Sequence, residues 1–183
     1  MMAQSNVRKI VFASVIAALY AALTIAVAPI AYGQMQFRVS EVLCILPFFF
    51  PVAVPGLFVG CFLVNFFGPY GLPDAIVGST ASLLAAICTM YIGKARNRDT
   101  VIIKAAACFP PVLFNALLIG SMIAYFMVTG GEAEGFLPAF ISSGLWVGLG
   151  QLGVMYAIGL PLMIYLPKTQ LIGRLGRLIK GEK

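Results

Sequence analysis

KARNRDTVIIK, residues 94–104, is the stretch on which the fold turns. It sets Lys94, Arg96, Arg98 and Lys104 between long apolar runs on either side. Working outward, Arg8 and Lys9 precede the first apolar run, and Lys168, Arg174, Arg177, Lys180 and Lys183 occupy the tail. All but one of the 12 Lys and Arg residues therefore fall in three patches. Lys and Arg accumulate in cytoplasmic loops, so both termini and the central loop are expected on the cytoplasmic side, with an even number of crossings between successive patches.

Composition gives the same class. Of 183 residues, 61% are hydrophobic and 10% charged, with mean hydropathy +1.01. A soluble domain carries about 25% charged residues, so a soluble enzyme, a disordered chain and a basic nucleic-acid binder are excluded. The expected class is an all-α integral membrane protein, multi-pass in the cell membrane, with the bilayer as its surroundings and no nucleic acid as partner. The N-terminal apolar stretch exceeds the 7–15 residues of a signal-peptide core, and it reads as a retained first span.

The run from Ile10 to Gly93 is too long for two spans of about 20 residues. Turn-forming residues at Gly33, Pro51, Pro55 and GPYGLP (68–73) divide it into four pieces: Ile10–Pro29, Ser40–Phe50, Val52–Phe67 and Asp74–Gly93. The second and third are too short to cross as straight helices, so tilt or shielding by neighbours is expected. Two longer spans follow, Val101–Val128 and Phe140–Leu166, joined outside by TGGEAEGFLP (129–138). The expectation is six transmembrane helices in a single membrane domain over 1–183, ending in a basic cytoplasmic tail, 168–183. LIGRLGRLIK within that tail has the pattern of a surface amphipathic helix, with an ordinary positive-inside tail as the plainer reading.

Polar residues inside spans mark functional sites by default. Arg38 is the basic residue outside the patches, and Glu41 lies three residues on, in reach of an ion pair on one helix face. Asp74 opens the fourth helix, where it serves as helix cap or site wall. Gln36, Arg38, Glu41, Asn65 and Asp74 all map to the outer half, beside Tyr32, Phe67 and Tyr70. Together they describe an outward-open, aromatic-lined cup for a planar polar solute. Asn115 and Gln151 lie mid-span and need partners. Trp146 is an interfacial anchor or a stacking surface. In the first helix Ala13, Ala17 and Ala21 recur every fourth residue, as do Ala18, Ala22 and Ala26, a spacing that admits a second helix closely.

Absences narrow the chemistry. There is no histidine, and the four cysteines, Cys44, Cys61, Cys88 and Cys108, form no CxxC pair, so no metal site is expected. No GxxxxGK[ST] loop is present, so ATP is not bound here through a P-loop. No serine or cysteine has an evident base. No catalytic residue is assigned, and if the solute moves against a gradient the energy is expected from another subunit.

The segments FASVIAALYAALT, PIAYGQMQFRVSEVLCILP, PGLFVGCFLVNFFGPYGLPDAIVGSTASLLAA, FPPVLFNALLIG and VGLGQLGVMYAIGLPL together resemble the QueT family. These are S components, the substrate-binding subunits of energy-coupling factor (ECF) transporters, assigned to queuosine precursors. The resemblance implies an S-component-like six-helix bundle with a site near the outer face. It also implies docking onto a transmembrane coupling subunit that carries two cytoplasmic ATPases. ATP is then used by those partners, with no cofactor in this chain. The implied solutes are 7-deazaguanines such as preQ0, preQ1 or queuine. The family's coupling contact maps onto Ala13, Ala17 and Ala21. Substrate binding is expected from Gln36, Arg38, Glu41, Asn65, Asp74, Asn115, Trp146 and Gln151. Glu41 is the first choice for a bidentate contact to the guanine-like edge, and Asp74 for a cationic aminomethyl group. Gln151 stands where the family pattern has Glu, which bears on the choice of solute. Alternatives are an S component for another small vitamin-like solute, a ligand-free structural membrane subunit, or an intramembrane enzyme using Glu41 and Asp74.

Overall fold

A computed structural model describes residues 2–31 and 36–181, apart from the side chains of residues 2–5 and 30. Tyr32, Gly33 and Lys183 lie outside the described residues. The described chain is helical, without strands: α1 (Met2–Ala26), α2 (Val39–Phe49), α3 (Ala53–Phe66), α4 (Leu72–Ile92), α5 (Val101–Thr129), α6 (Phe136–Lys168) and α7 (Gln170–Lys180). Four of them, α1, α4, α5 and α6, are long and apolar enough to cross a membrane, while α2 and α3 are shorter apolar helices.

Local chemistry sets the helix ends. Gly71 adopts φ +57 before α4, with Pro73 in the first turn, where its missing N–H costs nothing. Thr100 caps α5 by accepting from the Ile103 amide. Two bounds differ from the sequence expectation. α1 begins at Met2, its polar first turns continuing the apolar run, and α6 begins at Phe136, because Pro138 fits the first turn of a helix that Gly135 opens.

The short α2 is built tightly. Val39–Ile45 winds as a 3-10 helix and Leu46–Phe49 as an α turn, with Ser40, Glu41, Val42, Cys44, Ile45, Pro47 and Phe48 buried. At about 2.0 Å per 3-10 residue, the element is about 20 Å long, short of a ~30 Å hydrocarbon core. Enclosure by its neighbours keeps its polar groups from lipid.

Glycine lets helices touch backbone to backbone. A Cβ on Gly56 would lie 2.4 Å from the Ala13 carbonyl oxygen, and one on Gly60 would lie 2.8 Å from that of Ala17. Ala13 and Ala17 therefore seat α1 on α3. The second series, Ala18, Ala22 and Ala26, is exposed. In α5 and α6, Gly120 faces Gly144, and the Ser143 hydroxyl donates to the Gly120 carbonyl at 2.8 Å.

Prolines shape α5. Pro111 has no N–H to offer Ala107, and the Ala107 carbonyl instead accepts the Thr89 hydroxyl of α4 at 3.1 Å. A π turn, Asn115–Ile119, follows in α5, and a second, Met155–Gly159, precedes Pro161 in α6.

The three basic patches gather at one end of the bundle. Arg8 reaches Gly181, Gly93 abuts Phe48, and Phe50 lies beside both Phe12 and Gly176. The Tyr156 hydroxyl donates to the Ala105 carbonyl, tying the second half of α6 to the start of α5 beside Lys104. The segment Gln36–Arg38, Asn65 and Asp74 mark the opposite end.

Candidate functional site

The segment before α2 turns sharply inward. Gln36 takes φ +42, a left-handed conformation that costs a non-glycine residue about 1 kcal/mol. The turn brings the Arg38 amide 2.8 Å from the Gln36 carbonyl and buries Gln36 and Arg38 to 2% and 1% exposure.

Arg38 pairs with Asp74, not with Glu41. Its Nη2 lies 3.2 Å from Oδ1 and 3.1 Å from Oδ2 of Asp74, which is fully buried in the first turn of α4. The i,i+3 pairing expected from sequence fails because Glu41 is turned to other donors. Its Oε1 accepts from the Tyr20 hydroxyl at 2.5 Å and the Ser82 hydroxyl at 2.8 Å, and its Oε2 accepts from the Cys44 thiol at 3.1 Å. Glu41 thereby knits α1, α2 and α4 together. Beside it, the Thr24 hydroxyl donates to Ser40 Oγ at 2.7 Å. Asp74 is not a capping residue: Gly71 holds the cap position, and the acid complements the helix N-terminus from inside the first turn.

Asn65 closes this layer. Its Nδ2 donates to the Asp74 carbonyl and to Cys61 Sγ, both at 3.3 Å, while its buried Oδ1 has no hydrogen-bond partner among the described residues. Gly78 makes the layer possible. A Cβ there would meet Asn65 Nδ2 at 2.3 Å, Asp74 Oδ1 at 3.2 Å and Arg38 Nη1 at 3.5 Å.

A second polar pair faces it from α5 and α6. Ala116 lies against Gly148, and Gly120 against Gly144, which fixes the antiparallel register. In that register Asn115 and Gln151 are offset by about two residues, or ~3 Å along the axes. Asn115 donates from Nδ2 to the Pro111 carbonyl at 2.9 Å. Its Oδ1, and both polar atoms of Gln151, have no hydrogen-bond partner among the described residues, although the two side chains are 1% and 0% exposed. An unpartnered buried amide costs about 1–3 kcal/mol per group. The two layers adjoin: α4 packs on the Asn115–Ile119 turn, and Gly153, two residues beyond Gln151, has the Phe37 ring against it.

Two expected features lie elsewhere. Trp146 is 46% exposed on the outside of α6, and Phe67 is 84% exposed. Tyr70 stacks on Phe126 at 5.2 Å, in a cluster with Ile119, Met122 and Val147. Gln36, Arg38, Glu41, Asn65 and Asp74 are all buried in the interior of the bundle. Tyr20, Ser82 and Gly78 were not singled out from sequence. A tyrosine tip and a serine within apolar spans are the signals that each requires a partner.

The QueT transporter family model matches residues 10–168. The chain belongs to the QueT transporter family. A relative, the queuosine precursor transporter QueT of Lactococcus lactis subsp. cremoris (strain MG1363), is 36% identical over 85 residues. That alignment covers 45% of this chain and 50% of the relative, so it spans about half the length of the protein it matches. No solved structure matches. The family is one of transporters, and the chain's apolar helices make it a multi-pass membrane protein.

Proposed function

We propose that this QueT family chain is the S component of an ECF-type importer that captures a queuosine precursor, a 7-deazaguanine such as preQ1, preQ0 or queuine. Six crossings put both termini and the basic end in the cytoplasm, and the Arg38 end faces outward. The observation that carries the reading is the Gln151 amide. It is fully buried beside Asn115, with donor and acceptor both open. A guanine-like edge presents donors and an acceptor in one plane, which carboxamides match. Glu41, whose oxygens already hold Tyr20, Ser82 and Cys44, passes this role to Gln151, Asn115 and Asn65. Arg38 and Asp74 form the charged wall, and Gln36 closes the segment above them.

Coupling is assigned to the groove between α1 and α3. It has a volume of 570 Å³ and is lined by Ile10, Ala13, Ala17, Ala21, Gly56 and Val59 among others. Small residues on its floor admit a helix of the coupling subunit, whose two ATPases hydrolyse ATP; this chain itself takes no cofactor.

The test is equilibrium binding of tritiated preQ1 to the purified protein. One equivalent bound and recovered unchanged is the expected result. Absence of saturable binding of preQ1, preQ0 and queuine overturns the reading.

A further inference from the structure

The basic end of the bundle holds a second cavity, unconnected with the polar layer. It has a volume of 680 Å³, and its lining includes Lys9 from α1, Phe49 and Phe50 from the end of α2, and Ile172, Ile179 and Lys180 from α7. It adjoins the α1–α3 groove, since Lys9 and Val52 line both. We infer that the joined cavities bind one anionic phospholipid, its phosphate between Lys9 and Lys180 and an acyl chain along the groove.

Helix α7 is built for the membrane surface. Thr169 caps it by accepting from the Leu171 amide, and Gly181 ends it at φ +79, donating to the Arg177 carbonyl at 2.7 Å. The Arg8 guanidinium lies so close to Gly181 that a Cβ there would collide with it, and its charge suits the negative end of the helix. Ile172, Leu175 and Ile179 are half-buried toward the bundle, whereas Leu171 and Leu178 remain 52% and 65% exposed. Arg174, Arg177 and Lys180 are exposed, and Lys180 also lines the cavity. A helix with uncovered leucines and a cationic face lies in the interface with its charges at phosphate level.

Charge and length select the occupant. Lys9 and Lys180 both line the headgroup cavity, and no carboxylate is among the described residues that line either cavity. From Ile10 to Ala21 the groove follows about 16 Å of helix, close to the ~15 Å of acyl chain in one leaflet of a ~30 Å core. Apart from Lys9 and Ser14, its lining is apolar or glycine. A free phosphate would leave that groove unused, and a zwitterionic lipid would set its own cation against the lysines. The lipid occupies the groove of the uncoupled chain, and a docking helix of the coupling subunit displaces its acyl chain. Because lipid binding itself needs neither substrate nor coupling subunit, its failure and the failure of the transport reading are separable.

Native mass spectrometry of the full chain in neutral detergent tests the site, with dioleoylphosphatidylglycerol and dioleoylphosphatidylcholine as probes. The wild type is expected to retain one phosphatidylglycerol with about 30-fold preference, as two lysines at an anionic headgroup imply. Lys9→Gln with Lys180→Gln should remove the preference, while Arg174→Gln, outside the cavity lining, should keep it. Val59→Trp, which fills the groove and leaves both lysines, should weaken dioleoyl but not dihexanoyl phosphatidylglycerol. Equal retention of the two lipids by the wild type, an equal loss in Arg174→Gln, or displacement by millimolar inorganic phosphate would overturn the assignment.

Discussion

The two polar layers, one around α2 and α4 and one between α5 and α6, differ in how their hydrogen bonds are used. Around α2 and α4, each carboxylate oxygen of Glu41 and Asp74 accepts from a side chain of the same chain. Between α5 and α6, the Gln151 amide and the Asn115 carbonyl oxygen have no partner among the described residues. The difference separates framework from recognition. A buried ion pair stripped of one member leaves an uncompensated charge, so the charged layer is costly to disturb and suited to holding helices in place. Neutral amides are less costly to leave open and regain that energy when a planar solute supplies the missing groups.

The comparison breaks most readily at the ion pair. Asp74→Asn should destabilise the protein by about 3–5 kcal/mol, because Arg38 stays buried without its counter-charge. Thermal unfolding in detergent measures the loss, and Arg38→Met combined with Asp74→Leu should recover most of it. An unchanged midpoint for Asp74→Asn would remove the framework role.

The opposite signature is expected in the amide layer. Gln151→Leu keeps the volume and removes the open polar atoms, so stability should hold or rise while affinity for preQ1 falls about 10- to 100-fold, the worth of one or two buried hydrogen bonds. Gly78→Ala should cost about 1–3 kcal/mol, since its methyl pushes Asn65 Nδ2 off the Asp74 carbonyl. Tyr20→Phe removes one of two donors to Glu41 Oε1 and should cost about 1 kcal/mol in the same unfolding assay. A larger loss for Tyr20→Phe than for Asp74→Asn would invert the ranking of the two framework contacts.

Much of the fold was legible because membranes impose coarse rules. Charge position along the chain separated the apolar runs, and Pro and Gly at 51, 55 and 68–73 marked the helix ends on either side of α3. The site was legible as a set of residues but not as a set of contacts. Arg38 reaches 36 positions along the chain to Asp74, beyond any helical spacing rule, while the neighbour at i+3 is claimed by Tyr20 from α1 and Ser82 from α4. Gly78 gave no local sign, since its necessity arises from Asn65 and Arg38, which converge from other elements on the face that Asp74 shares one turn back. The 3-10 winding of α2 was equally hidden, because apolar periodicity over so short a run does not distinguish helix types.

The central claim is that the open amides, and not the buried carboxylate, read the solute. Equilibrium binding of tritiated preQ1 to Gln151→Leu and Glu41→Gln, side by side at matched folded fraction, tests it most directly. Affinity lower by about 10- to 100-fold in Gln151→Leu, with affinity within a few-fold of wild type in Glu41→Gln, is the predicted result. Wild-type affinity in Gln151→Leu, with binding abolished in a folded Glu41→Gln, would contradict it.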